Sequence, residues 1–193
     1  GHSRAPVPAD PSASSGNLRS VRTTDYHTGG EPFRIVVEPP VDIPGADVAD
    51  RRARAIVDPE VDGLRRFLCF EPRGHADMYG GFVVGPDDDG AALGIVFWHA
   101  EGYSTACGHG TIALGVWATD TGLVESNPNG VTEVRVDVPS GRVAALVERK
   151  DGALVRATFR NVASHVIARG VPVQTSRGEV LADLRSPGCR QRA

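Results

Sequence analysis

Lysine is almost missing from this chain. The single one, Lys150, lies in the turn-like stretch VERKDG. A pyridoxal Schiff base or a lysine nucleophile would have to be built on a turn residue, so neither chemistry is expected. Cysteine is scarce as well. Cys69, Cys107 and Cys189 are odd in number and far apart, which argues against a disulfide framework and for a reducing, cytoplasmic setting. No apolar run approaches the roughly 18–20 residues of a membrane span. No basic block appears either: arginines are scattered among acidic residues and the formal net charge is −3. Neither nucleic acid nor a membrane surface is therefore an expected partner. There is no internal repeat and no coiled-coil heptad. The set Cys69, His75, His99, Cys107 and His109 does not match a zinc spacing, so no metal ion is expected.

What remains is ordinary globular material. The hydrophobic fraction is 40% and the charged fraction 23%, enough to build one core. Residues 1–17 are rich in Pro, Ala and Ser, with a leading Gly1-His2-Ser3 that looks like the scar of a cleaved tag. They are read as a disordered leader outside the fold.

The pattern from there is that of an α+β domain. Strands are expected at 18–26 and 33–38, joined by HTGGEP. Helix follows at 48–68, with Pro59 kinking or restarting it and Asp58 as a possible N-cap. Strands are expected again at 80–85 and 93–99. Residues 110–122, GTIALGVWATDTG, are apolar nearly all round, the mark of a buried helix. From 131 the chain alternates apolar and polar residues, with turns at PSG and KDG. That predicts an antiparallel meander at 131–138, 142–149 and 153–162, followed by further short strands. The architecture expected is a mostly antiparallel sheet wrapped around one buried central helix. Residues 185–193 are polar, basic and patternless, and are read as a tail.

The stretch YSTACGHGTIALG, residues 103–115, sets a lone thiol at the mouth of that buried helix. Unpaired N–H groups and the positive end of the helix dipole favour a thiolate there. The same N–H groups can hold a substrate carboxylate. Gly108 and Gly110 let a ligand approach the backbone. The alternative is a structural cysteine, with His109 no more than a surface or capping residue. Two further clusters, His27, Thr28, Glu31 and Arg34 in the first turn and Glu71, Arg73, His75 and Asp77 in FEPRGHADMYG, are read as scaffolding rather than chemistry.

Three motifs, HTGGEPFRIV, EPRGHADMYG and GYSTACGHGTIAL, in this order and at this spacing, closely resemble the proline racemase family. The likeness runs from about Val21 to Asp183, and NVASHVIARGVPV and GEVLADL also fit. It implies a diaminopimelate-epimerase-like fold of two similar lobes, of which residues 18–184 are the first; the second lobe is missing. It implies no cofactor, neither metal nor pyridoxal phosphate, and an imino acid, proline or hydroxyproline, held between the lobes. By resemblance Cys107 is the first-lobe acid/base. His109 matches a position contacting substrate nitrogen or carboxylate, and Tyr79, Phe97 and Ser104 match positions lining the pocket. The arrangement His99, Glu101, Gly102, Tyr103, Ser104 is similar to the trans-3-hydroxy-L-proline dehydratase branch. The alternatives are proline racemase and 4-hydroxyproline 2-epimerase. A reading of another class is a non-catalytic fragment or binding domain that keeps the scaffold; a homo-oligomer through the exposed lobe face is also open. Half of a two-lobed site is expected to be inactive alone.

Overall fold

The computed structural model describes residues 20–186. The expected leader and most of the expected tail, Cys189 included, lie outside them.

The first hairpin pairs β1 (Thr24–Thr28) with β2 (Glu31–Val36), with Thr28 opposite Glu31. Gly29 and Gly30 form its two-residue turn, with φ of 62° and 98°. Positive φ at both central positions is what a tight hairpin turn requires, and only glycine takes it without strain. Two helices follow, α1 (Val48–Val57) and α2 (Pro59–Cys69). Asp47 caps α1 by accepting from Asp50 N at 2.8 Å. Asp58 caps α2, accepting from the amides of Glu60 and Val61, and Pro59 takes the first helical position, where its missing N–H costs nothing. Of the two expectations for Pro59, a restart is what the structure shows: residues 48–68 form two helices, broken at the Asp-Pro pair.

β3 (Tyr79–Val84) and β4 (Leu93–His99) pair antiparallel, and the short β5 (Gly102–Tyr103) folds back on the end of β4. Helix α3 (Gly108–Asp120) comes next, then the meander β6 (Gly130–Val138), β7 (Gly141–Lys150) and β8 (Ala153–Arg160). The sheet runs β1-β2-β3-β4-β6-β7-β8, with β5 beside β4. It is mostly antiparallel as expected, but β2–β3 and β4–β6 are parallel. A final hairpin, β9 (His165–Thr175) and β10 (Gly178–Ser186), forms a separate ribbon. Its pairing continues through Arg185 and Ser186, two residues into the expected tail.

At β4 the sheet is buried on both faces, and period-two alternation sorts its side chains. On β4, Leu93, Ile95 and Phe97 face α3, while Val96 and Trp98 face α1 and α2. The inner core joins Phe33, Ile35, Val134, Val136, Val143 and Ala145 to Leu114, Trp117 and Ala118 of α3. The sheet curves round this helix so far that both its first and last strands touch it. Gly115 permits the close approach: a Cβ there would lie 2.3 Å from that of Ala145. The ribbon, by contrast, leaves Ile167, Val173, Val180, Leu181 and Leu184 exposed.

Candidate active site at the mouth of the central helix

Cys107 is the N-cap of α3. Its Sγ accepts from the Gly110 amide at 3.3 Å, the bond a Ser or Asp cap would make. Its carbonyl accepts from the Thr111 amide at 3.0 Å and the Thr111 hydroxyl at 2.7 Å. The amides of Gly108 and His109 take no partner among the described residues and remain donors at the helix mouth. Gly110 cannot be larger: a Cβ would lie 2.5 Å from the Phe33 ring and 2.9 Å from Sγ.

His109 lies over the thiol, with Nδ1 3.4 Å and Nε2 3.7 Å from Sγ. Glu31, the first residue after the glycine turn, places Oε2 3.0 Å from His109 Nδ1. Across the hairpin, the Thr28 hydroxyl donates to the His109 carbonyl at 3.0 Å. Tyr79 packs edge-on against His109 with ring centres 5.1 Å apart. Its hydroxyl donates to Ser104 Oγ. Thus the structure brings Cys107, Gly108, His109, Gly110, Tyr79 and Ser104 together at the mouth of α3.

Phe97 does not join them at the surface. It is fully buried, one layer below, with its ring edge-on to Phe33 at 5.8 Å. The alternation along β4 sends it into the inner core, where it supports the Phe33 ring that packs against His109. Tyr103 turns away as well. It lies in the outer core, its carbonyl held by Arg52 and its ring under Arg65.

The thiolate expected at the helix mouth is not the resting form of Cys107. Burial above all, with the Glu31 carboxylate adding to it, pushes the thiol up to about 12. The Gly110 amide and the Tyr79 hydroxyl pull the other way and are outweighed. A helix mouth stabilises a thiolate where solvent also reaches it; here only 8% of Cys107 is exposed, and removal from water dominates. The Cys69 thiol is also raised by burial and donates to the Met78 carbonyl at 3.4 Å; it serves the outer core.

An open cleft of about 1190 Å³ is lined by the residues around the thiol, not by Cys107 itself. Glu31, Tyr79 and His109 form one side; His99 and Glu101 from the β4–β5 turn, with Glu71, His75 and Asp77, form others. Two clusters read from sequence as scaffolding are therefore divided. Arg34 is scaffolding, bonding Asp25, the Leu68 carbonyl and the Arg73 carbonyl. Arg73 also is, stacked 3.6 Å over the Phe67 ring. Glu31, Glu71, His75 and Asp77 face the cleft instead. The one local signal for Glu31 is its place immediately after a glycine turn. Arg65 secures the far rim: only 6% exposed, it donates to the carbonyls of His99 and Ala100 at 2.8 and 2.9 Å. Among the described residues no group of three or more His, Cys, Asp or Glu stands in an arrangement able to hold a metal ion. No helix of the described residues is long and apolar enough to cross a membrane.

Residues 23–188 match the family model for proline racemase. A trans-3-hydroxy-L-proline dehydratase from Burkholderia cenocepacia (strain HI2424) is 42% identical over 171 residues, 88% of this chain and 50% of the relative. A 3-hydroxyproline 2-epimerase from Burkholderia multivorans is equally similar, 42% over 171 residues, with the same coverage. Among solved structures, a hydroxyproline epimerase from Agrobacterium vitis, with trans-4-hydroxy-L-proline bound, superposes with a TM-score of 0.76 at 26% identity, over 86% of this chain and 48% of that one. The chain spans about half the length of the curated relatives it matches.

Proposed function

The chain belongs to the proline racemase family, and on that premise we propose that it is the first lobe of a trans-3-hydroxy-L-proline dehydratase in which Cys107 removes the Cα proton. The observation that carries this reading is the position of Cys107 as the cap of α3, beside two helix-mouth amides with no partner among the described residues and in contact with His109, which lines an open cleft. Loss of the Cα proton places charge on the substrate carboxylate. The Gly108 and His109 amides are donors suited to that charge as it develops, and the sulfur in the same turn is within reach of the proton. Cleavage of the C3–O bond, with the proton taken from Cα passed on by the Cys107 thiol to the departing hydroxyl, then gives water and an enamine that tautomerises to the cyclic imine. Every group in this half of the reaction is a residue of the chain, so no cofactor is called for. The polar pair Tyr79–Ser104 suits a hydroxylated ring.

A second reading is favoured by the equal similarity to a 3-hydroxyproline 2-epimerase. In that case the proton returns from the opposite face, and the other lobe supplies a second acid. Proline racemase and 4-hydroxyproline 2-epimerase chemistry need the same second group.

The test joins this chain in frame to the second half of the Burkholderia cenocepacia relative. Product formation is followed from trans-3-hydroxy-L-proline, trans-4-hydroxy-L-proline and L-proline. The joined protein is expected to dehydrate the first, and Cys107→Ser to abolish that. The 193-residue chain alone is expected to turn over none, because positioning from both sides supplies much of the rate. Epimerisation without dehydration selects the second reading. Full activity with Cys107→Ser removes Cys107 from the chemistry.

A further inference from the structure

The first strand is tied to the central helix at both of the helix's ends. Alternation along β1 sets Tyr26 and Thr28 on one face, and both bond to α3. The Tyr26 hydroxyl donates to Asp120 Oδ2 at 3.1 Å, on the last residue of the helix. The Thr28 hydroxyl donates to the His109 carbonyl at 3.0 Å, in the first turn. A carbonyl oxygen has two lone pairs, so this bond can stand beside the one the helix makes there. The His109 carbonyl and the Gly110 N–H belong to a single planar peptide unit. That N–H is one of the first-turn donors with no acceptor inside the helix, and it donates to Cys107 Sγ at 3.3 Å. Hydroxyl, peptide unit and sulfur therefore form one hydrogen-bonded chain. Thr28 is not among the residues lining the cleft.

We propose that Thr28 is a positioning residue for Cys107: by holding the peptide unit between His109 and Gly110, its hydroxyl aims the Gly110 N–H at the sulfur and strengthens it as a donor. The proposal rests on the reading of Cys107 as the acid/base and adds the group that tunes it from behind. Two effects act in the same direction. The bond at the oxygen fixes the plane of the peptide unit, and with it the line of the N–H. It also draws electron density toward the oxygen and leaves the N–H more positive, as successive bonds in such a chain reinforce one another. A charged acceptor gains more from a hydrogen bond than a neutral one, so both effects favour the thiolate that takes the Cα proton. The tight turn at Gly29 and Gly30 sets Thr28 opposite Glu31, whose carboxylate meets the ring of the same histidine. One hairpin end thus holds His109 by its backbone and by its side chain.

The test follows modification of the Cys107 peptide by methyl methanethiosulfonate, a neutral thiolate reagent, in the 193-residue chain at pH 8.5, read by mass spectrometry with Cys107→Ser as the blank. Thr28→Val keeps the shape of the side chain and removes the hydroxyl. It is expected to slow modification about three- to tenfold, the effect of weakening one hydrogen bond to a charged sulfur. Thr28→Ser keeps the hydroxyl and should run close to the original protein. Tyr26→Phe removes the other bond from β1 to α3 and controls for loosened packing; it should leave the rate unchanged. Glu31, Tyr79 and His109, the titratable groups around the sulfur, are the same in all three variants. In the joined two-lobed protein, Thr28→Val should lower kcat and leave KM near its original value, since Thr28 does not line the cleft. A rate of modification that is unchanged or faster in Thr28→Val would overturn the proposal. So would equal slowing in Tyr26→Phe, equal slowing in Thr28→Ser, or a raised KM with kcat unchanged. Should Thr28→Val not fold, Thr28→Ala is read in its place on the same terms. The modification rates stand without turnover, and the acid/base reading is judged separately by Cys107→Ser in the joined protein.

Discussion

The ionisation of Cys107 decides between two physical effects, and its size makes it measurable. An ordinary thiol with a pKa of 9.0 is about 9% thiolate at pH 8; one pushed up to about 12 is about 0.01% thiolate. The difference is about a thousandfold in the reactive species, before any loss from restricted access. Iodoacetamide labelling of the Cys107 peptide in the folded chain should therefore run about a thousandfold or more slower at pH 8 than in the same chain unfolded in guanidinium. The shape of the pH profile is as telling as the rate. Between pH 8 and pH 10 the folded-state rate should climb about a hundredfold without levelling, whereas an ordinary thiol gains about tenfold and flattens. The sign follows from burial: the neutral thiol is the form the lobe favours, so the thiolate appears only as pH approaches the raised value. A plateau by pH 9, or a rate at pH 8 close to that of the unfolded chain, would refute the reasoning. It would show that the Gly110 amide and the helix dipole outweigh the loss of solvation.

Other outcomes follow from particular contacts. Gly115→Ala sets a methyl group 2.3 Å from the Ala145 Cβ, between backbones that cannot both give way, and should destabilise the lobe by about 1–3 kcal/mol in a denaturant titration. Gly110→Ala presses on Phe33 and on the Cys107 sulfur together; a similar loss of stability is expected, with turnover of the joined two-lobed protein falling further than stability alone accounts for. Arg65→Ala strips the His99 and Ala100 carbonyls of their donor and should cost about 2–3 kcal/mol, readable as a lowered denaturation midpoint. The β9–β10 ribbon has two strands and exposed apolar side chains on both, and isolated ribbons are marginal. Its amides should exchange with deuterium well before those of β4 and α3; equal protection would mean that a partner covers it. Elemental analysis of protein purified without added metal should find zinc well short of one per chain, and a stoichiometric amount would put Cys107 among metal ligands instead.

Local chemistry was legible in the sequence wherever it acts within a turn or two of chain. Asp58-Pro59 marks the break between α1 and α2, because a capping side chain followed by a residue with no N–H suits the first turn of a helix and not its interior. Two glycines make the β1–β2 turn, because positive φ at both positions suits no larger residue. An all-apolar run predicts that α3 is buried, and a thiol just before it predicts a sulfur at the helix mouth. The same run, read with the two motifs before it, was enough to identify the family. What these signals share is that neighbours along the chain are also neighbours in space.

Tertiary structure decided the rest, since it depends on which distant segments meet. The alternation along β4 is plain from the sequence, but only the packed sheet shows that Phe97 looks inward and Trp98 outward, and so that Phe97 supports the site from beneath. Strand order, with parallel pairing at β2–β3 and β4–β6, follows from crossovers that no local pattern encodes. Glu31 reaches His109 because the curved sheet brings the first hairpin against the helix mouth. The charge state of Cys107 is hidden from the sequence for the same reason. A helix terminus is a local feature whose sign is known in advance, but desolvation is summed over every group that covers the sulfur, here Phe33, Tyr79 and His109 from separate elements, and it exists only once they are assembled.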